Sequence, residues 1–143
     1  MALLTAGTAA PAFKGMNLTG PEVNSENYKG KKPVVLIFSS TRIDPGQIKA
    51  VTDMWKKHRE KTEIITVSYK LPSVSMAKSF MMQMGAKFPA IFDPSQAVYK
   101  AFGVENPVAI VIIDANGTIV YSAESLETKD TKTLEDAIIA NVK

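Results

Sequence analysis

The chain predicts an α/β domain built on a mixed sheet, and three observations carry that prediction. Two apolar runs, PVVLIFS from Pro33 to Ser39 and EIITVSY from Glu63 to Tyr69, are each followed by a segment whose apolar residues recur at helical spacing. Later, VAIVIID and TIVYS flank the tetrapeptide DANG (Asp114 to Gly117), a hairpin turn between two strands. A length of 143 residues, 45% hydrophobic and 22% charged, suits one soluble globular domain spanning 1–143, long enough to bury a core without disulfides.

The elements follow in order. Phe13 to Leu18 and the short stretch around Val23, separated by TGPE, read as a small hairpin, and Ser25 to Tyr28 as a helical turn. Pro33 to Ser39 lacks polar alternation, as a central parallel strand would. From Asp44 to about Arg59, residues Ile48, Val51, Met54, Trp55 and His58 recur at helical spacing. Glu63 to Tyr69 is the next strand. Ser73 to Met84 is a second helix, with Met76, Phe80 and Met84 expected on one face. A short strand at Pro89 to Phe92, a helical segment from Ser95 to Phe102, the hairpin from Val108 to Ala123 and a last helix from about Thr131 to Val142 complete the chain.

Composition excludes several kinds of chemistry. There is no cysteine, so this chain supplies no disulfide, thiolate nucleophile or thiolate metal ligand. The single histidine, His58, cannot build a transition-metal site alone, no acidic cluster has calcium-loop spacing, and no cofactor is implied. Net charge is +3, with basic clusters at Lys29 to Lys32 and Lys56 to Lys61. No aromatic residues interleave with those clusters to stack bases, so they read as solvated surface and not as a nucleic-acid footprint. No apolar run approaches the roughly 20 residues of a membrane helix. The opening MALLTAGTAAPAF has no basic n-region and too short an apolar core for a secretory signal, which points to the cytoplasm.

The stretch FSSTRIDPGQ, residues 38–47, sits where a strand hands over to a helix. That junction is a common address for an active site, because unpaired backbone N–H groups point there. One reading is purely local: Asp44 as N-cap, Pro45 at the first helical position and Gln47 reaching back as a capping-box partner. The other makes Thr41 and Arg42 a site for a small anion or a carboxylate beside the helix N-terminus, where Asp44 competes for the same N–H groups. Elsewhere, Met76 and Met84 are expected in the core with Phe80, leaving Met81 and Met82 as the pair that could serve an interface. Trp55 reads as core, Asp53 as a solvated helix residue and Asp93 as a turn residue.

The pieces GTAAPAF, SENYKGKKPVVLIFSS, FPAIFDPSQAVYKAFGV and VIIDANGTIVY, in this order from about Thr5 to Val142, resemble the consecutive blocks of the alkyl hydroperoxide reductase and thiol-specific antioxidant group. That group contains peroxiredoxins and thioredoxin-like disulfide reductases. The most specific block places Phe88, Pro89, Asp93, Tyr99, Phe102, Gly103 and Val104 at the family's spacing. The resemblance implies a thioredoxin-like fold, a central mixed sheet flanked by helices, with an N-terminal β-hairpin extension.

It also implies a thiol site that this chain lacks. Laid without gaps over the reductase motif W-C-x-x-C, the Trp falls on Arg42 and the cysteines on Ile43 and Gly46. Of the Pro, Thr and Cys expected in peroxiredoxins, only Thr41 has a counterpart. The proline that faces the cysteines in the reductase branch falls on Val108, with Pro107 one residue early; a non-proline residue there is expected to keep a trans peptide. The expected function is therefore a non-catalytic binding or interaction module, with a protein partner or as a homodimer, using the former active-site face: Thr41, Arg42, Asp44, Pro107 and Val108. The alternative is a peroxiredoxin-like or thiol-disulfide oxidoreductase activity whose thiol comes from a partner or a small thiol.

Overall fold

A computed structural model describes residues 3–39, 45–69, 73–105, 108–124, 136 and 138–140. The elements run β1 (Lys14–Asn17), β2 (Val23–Asn24), a 3-10 turn (Ser25–Asn27), β3 (Val34–Ser39), α1 (Pro45–His58), β4 (Glu63–Ser68), α2 (Val74–Gln83), β5 (Ala90–Phe92), α3 (Ala97–Ala101), β6 (Val108–Ile113) and β7 (Ile119–Glu124). Residues 136 and 138–140 are helical, within the last predicted helix. The strands form one seven-stranded sheet in the order β2-β1-β5-β4-β3-β6-β7. β3, β4 and β5 are mutually parallel, whereas β1, β2, β6 and β7 join antiparallel.

The unbroken apolar character of β3 follows from its place in the middle of the sheet. Val35 and Ile37 face one layer, with Val51 and Met54 of α1, Ala77 and Met81 of α2, and Ile138. Val34, Leu36 and Phe38 face the other, with Phe13, Val98, Tyr99 and Phe102. Both faces of the strand are therefore core, and all five of these residues are nearly or fully buried. β3 is parallel to β4 on one side but antiparallel to β6 on the other, so the strand is central in a mixed rather than a parallel sheet.

Local rules fix the element ends. α1 begins at Pro45, where a ring that has no N–H costs no helical hydrogen bond, and ends on Lys56, Lys57 and His58, which suit the negative end of the helix dipole. The helix is tied to β4 by Trp55, whose indole N–H donates to Glu63 Oε1 at 2.7 Å while the Arg59 guanidinium lies 4.7 Å over the ring. Ser73 caps α2, its hydroxyl oxygen accepting from the backbone N–H of Met76. In the DANG turn, Asp114 Oδ1 accepts from the N–H groups of Asn116 and Thr118 at 3.0 and 2.9 Å, and Gly117 takes a φ of +88°.

The faces of α2 differ from expectation. Met81 is 3% exposed and belongs to the core, whereas Met76 is 73% exposed. Residues 76, 80 and 84 form an i, i+4, i+8 row, which drifts round the helix by about 40° per step. The inward stripe instead runs through Val74, Ala77, Met81 and Met84 at i, i+3, i+7 and i+10, with Phe80 on its flank. Met82 is 80% exposed, as expected for a residue off that stripe.

Candidate functional site

The site expected from the sequence lies at the carboxyl end of β3. Strand register brings its two halves together: Ser39, the last residue of β3, pairs directly with Val108, the first of β6. The end of β3 and the start of β6 therefore lie side by side, and α1 begins six residues after Ser39. Thr41, Arg42, Ile43, Asp44 and Pro107 lie outside the described residues, and so do the expected Asp44 cap, the Thr41–Arg42 anion site and the Pro107–Val108 peptide. Gly46 is the second residue of α1.

Behind this junction stands an aromatic wall. Phe38 meets Tyr99 edge-on at 4.9 Å between ring centroids, and Tyr99 meets Tyr69 in the same manner at 4.9 Å. Phe38 and Tyr99 are almost fully buried, and the Tyr99 hydroxyl donates to the Val67 carbonyl at 3.2 Å. Tyr69 is half-buried just past the end of β4, whose carboxyl end adjoins that of β3 because the two strands are parallel. Its side chain reaches the surface at this end of the sheet, and residue patterning alone did not single it out. Its signal was positional: the first residue after a buried parallel strand.

Asp93 is likewise more than a turn residue. It is 5% exposed and accepts from three backbone N–H groups at the start of α3: Ala97 and Val98 at 3.0 and 2.9 Å, and Tyr99 at 3.2 Å. The block FPAIFDPSQAVYKAFGV thus acts as a brace. Phe88 and Phe102 are buried, Asp93 caps α3, and Gly103 turns the chain at φ +70° so that Val104 N–H can donate to Tyr99 O at 2.9 Å. Its effect is to hold Tyr99 beneath the end of β3.

Among the described residues no group of three His, Cys, Asp or Glu side chains could hold a metal ion, and no helix is long and apolar enough to cross a membrane. The chain has no cysteine, so no thiol of its own stands above that aromatic cluster.

Comparison with known proteins agrees with this architecture. Over 127 residues the chain is 29% identical to the thiol-disulfide oxidoreductase ResA of Bacillus thuringiensis (strain Al Hakam), covering 87% of this chain and 72% of that protein. The crystal structure of a thiol:disulfide interchange protein DsbE, so assigned, from Chlorobium tepidum superposes with a TM-score of 0.79 at 25% identity, covering 96% of this chain and 98% of that one. Peroxidoxin BcpB from Mycobacterium tuberculosis superposes with a TM-score of 0.80 at 19% identity over 98% and 99% of the two chains, a likeness of fold alone. The fold is thioredoxin-like, with the β1–β2 hairpin as its N-terminal extension. The AhpC/TSA family pattern matches residues 6–122, and the chain belongs to that family, in a cysteine-less form.

Proposed function

We propose that this redoxin-family domain works as a non-catalytic binding or interaction module, using the face formed where β3 ends and β6 begins. The observation that carries the reading is a family scaffold in a chain with no cysteine; on this reading the two thiol positions fall on Ile43 and Gly46. Thiol-disulfide exchange needs a thiolate that attacks one sulfur and a second group that resolves the mixed disulfide, and neither side chain can do either. What remains at such a face is recognition. Thr41, Arg42 and Asp44 on one side and Pro107 and Val108 on the other would supply polar and apolar contacts, with Tyr69 at the edge, to a protein partner, a second copy or a small anion.

The relatives' names favour a second reading, in which the domain still takes part in redox chemistry with the thiol supplied by a partner or a small thiol. One experiment separates the two. Peroxidase and insulin-reduction assays are run on the purified chain, with and without glutathione. The module reading expects turnover no higher than that of a heat-denatured control; glutathione-dependent turnover clearly above it overturns that reading in favour of the second.

A further inference from the structure

A groove of about 440 Å³ lies away from that face, between the end of β1 and the carboxyl-terminal half of α2. Because α2 runs back from the carboxyl end of β4, the groove sits toward the opposite end of the sheet. Asn17, Thr19, Lys78, Met82 and Lys87 supply its functional groups. Both of its charged side chains are lysines, no acidic side chain lines it, and no described residue pairs with either ammonium.

Asn17 adds a fixed donor. Its Oδ1 accepts from the backbone N–H groups of Thr19 at 2.9 Å and Ala90 at 3.0 Å, which sets the orientation of the carboxamide. The Nδ2 group faces the groove side, 3.6 Å from where a Cβ on Gly20 would stand, and has no partner among the described residues. The wall is rigid as well, since Leu18 N–H donates to Ala90 O and the Thr19 hydroxyl to Phe88 O, both at 2.8 Å. On the other side, the carbonyls of Phe80, Met81 and Met82 at the end of α2 are taken by Met84, Ala86 and Gly85. Those three carbonyls are thereby engaged, and the charged groups lining the groove are the two ammoniums.

A concave surface that sets two ammonium groups and a carboxamide NH₂ around an apolar floor and an exposed thioether, with no acidic side chain, is complementary to carboxylates carried next to apolar side chains. It holds no arginine and no aromatic ring, the groups that would stack or fork onto nucleic acid. We propose that this groove binds an acidic peptide segment of a partner protein, its carboxylates meeting Lys78, Lys87 and the Asn17 carboxamide and a neighbouring apolar side chain lying on Met82.

The test measures anisotropy of a fluorescent peptide in which glutamates alternate with leucines, against the same peptide with glutamine for every glutamate and against a single-stranded DNA oligonucleotide. The expected result is binding of the acidic peptide, weakened roughly tenfold or more by Lys78→Glu with Lys87→Glu and several-fold by Met82→Ala. The same net charge change made at Lys56→Glu with Lys61→Glu, outside the groove, should leave binding within about twofold. In ¹⁵N-labelled protein the Asn17 side-chain NH₂ signal should move as peptide is added. All of these substitutions are at surface lysines or at exposed Met82, so the fold is retained. Equal binding of the glutamine peptide, equal loss in the control pair, tighter binding of the oligonucleotide through the same two lysines, or no peptide binding at all each overturns the proposal. None of these outcomes touches the face at β3 and β6, so the two readings fail separately.

Discussion

At the end of β5, the Asp93 carboxylate collects the three N–H groups that α3 cannot satisfy internally, because a helix of five residues has almost no turns of its own to use them in. A hydrogen bond to a charged group contributes about 1.5–3 kcal/mol net of exchange with water, and three that share one carboxylate do not add in full. Asp93→Ala should therefore destabilise the domain by about 2–4 kcal/mol, read as a lower urea midpoint, and Asp93→Asn, which keeps one oxygen, by about half of that. An unchanged midpoint would show that α3 is held by Val98, Tyr99 and Phe102 alone. Tyr28 gives a prediction in pH. Burial, and then the nearby Glu63 charge, raise its pKa above the ordinary 10.0. A raised folded-state pKa means the folded chain holds the proton more tightly, so the associated stability is complete below 10.0 and is lost as pH climbs through the folded value. Tyr28→Phe should lose less stability than the wild type between neutral pH and the alkaline range. If the two stability-against-pH curves run parallel, the tyrosine hydroxyl is not the group responsible.

Among the elements, β1 shows how one absent side chain sets a sheet's outline. A Cβ on Gly15 would stand 2.5 Å from Ile91 Cγ2, a side chain 1% exposed in the core. The glycine lets β1 lie close beside β5 as its antiparallel neighbour, and β2 extends the sheet from β1. Gly15→Ala should cost about 1–3 kcal/mol by overpacking. Ile91→Ala alone should cost about 2–5 kcal/mol as a cavity. The double variant should cost clearly less than the sum, because the new methyl enters the space left by the old one. Strict additivity in thermal or urea unfolding would mean the two do not meet. Such contacts mark the limit of what patterning makes legible. Strands β3, β4 and β6, the DANG turn, the early hairpin and the Pro45 helix start all follow from local rules that act within a few residues. The face of α2 did not, because an i+4 row and the true i+3, i+7 stripe both end on Met84 with Phe80 at or beside them, and the decisive difference is that Met81 and not Met76 turns inward. Asp93 and Tyr69 were hidden for a related reason: their roles depend on α3 and on the pairing of β3 with β4, partners distant in sequence. The direct opposition of Ser39 and Val108 likewise exists only once β6 has folded back against β3.

Taken as a whole, the molecule keeps the family's scaffold and the family's most specific block, and that block has a purely structural explanation. Capping, packing and a left-handed turn account for Asp93, Phe88, Phe102 and Gly103 without any thiol. A scaffold whose distinctive residues serve its folding does not depend on a thiol, and this can be tested by building one in. Ile43→Cys with Gly46→Cys recreates the reductase spacing, with the second position one residue inside α1. If the segment after β3 follows the family, the two sulfurs should close a disulfide on mild oxidation, which requires Cα atoms about 4.4–6.8 Å apart. The first thiol should titrate below the free value of about 8.5, because the start of α1 favours the thiolate. Insulin reduction should nevertheless stay poor, since Asp44 sets a negative charge next to that thiolate in sequence and, on the proposed alignment, valine replaces the reductases' proline at position 108. Adding Asp44→Gly, and moving the proline to position 108 by Pro107→Val with Val108→Pro, should raise it. A double-cysteine variant that folds normally by circular dichroism yet forms only intermolecular disulfides would mean that residues 40–44 do not take the redoxin path. The face proposed here for binding would then have to be redrawn around β6 and Tyr69 alone.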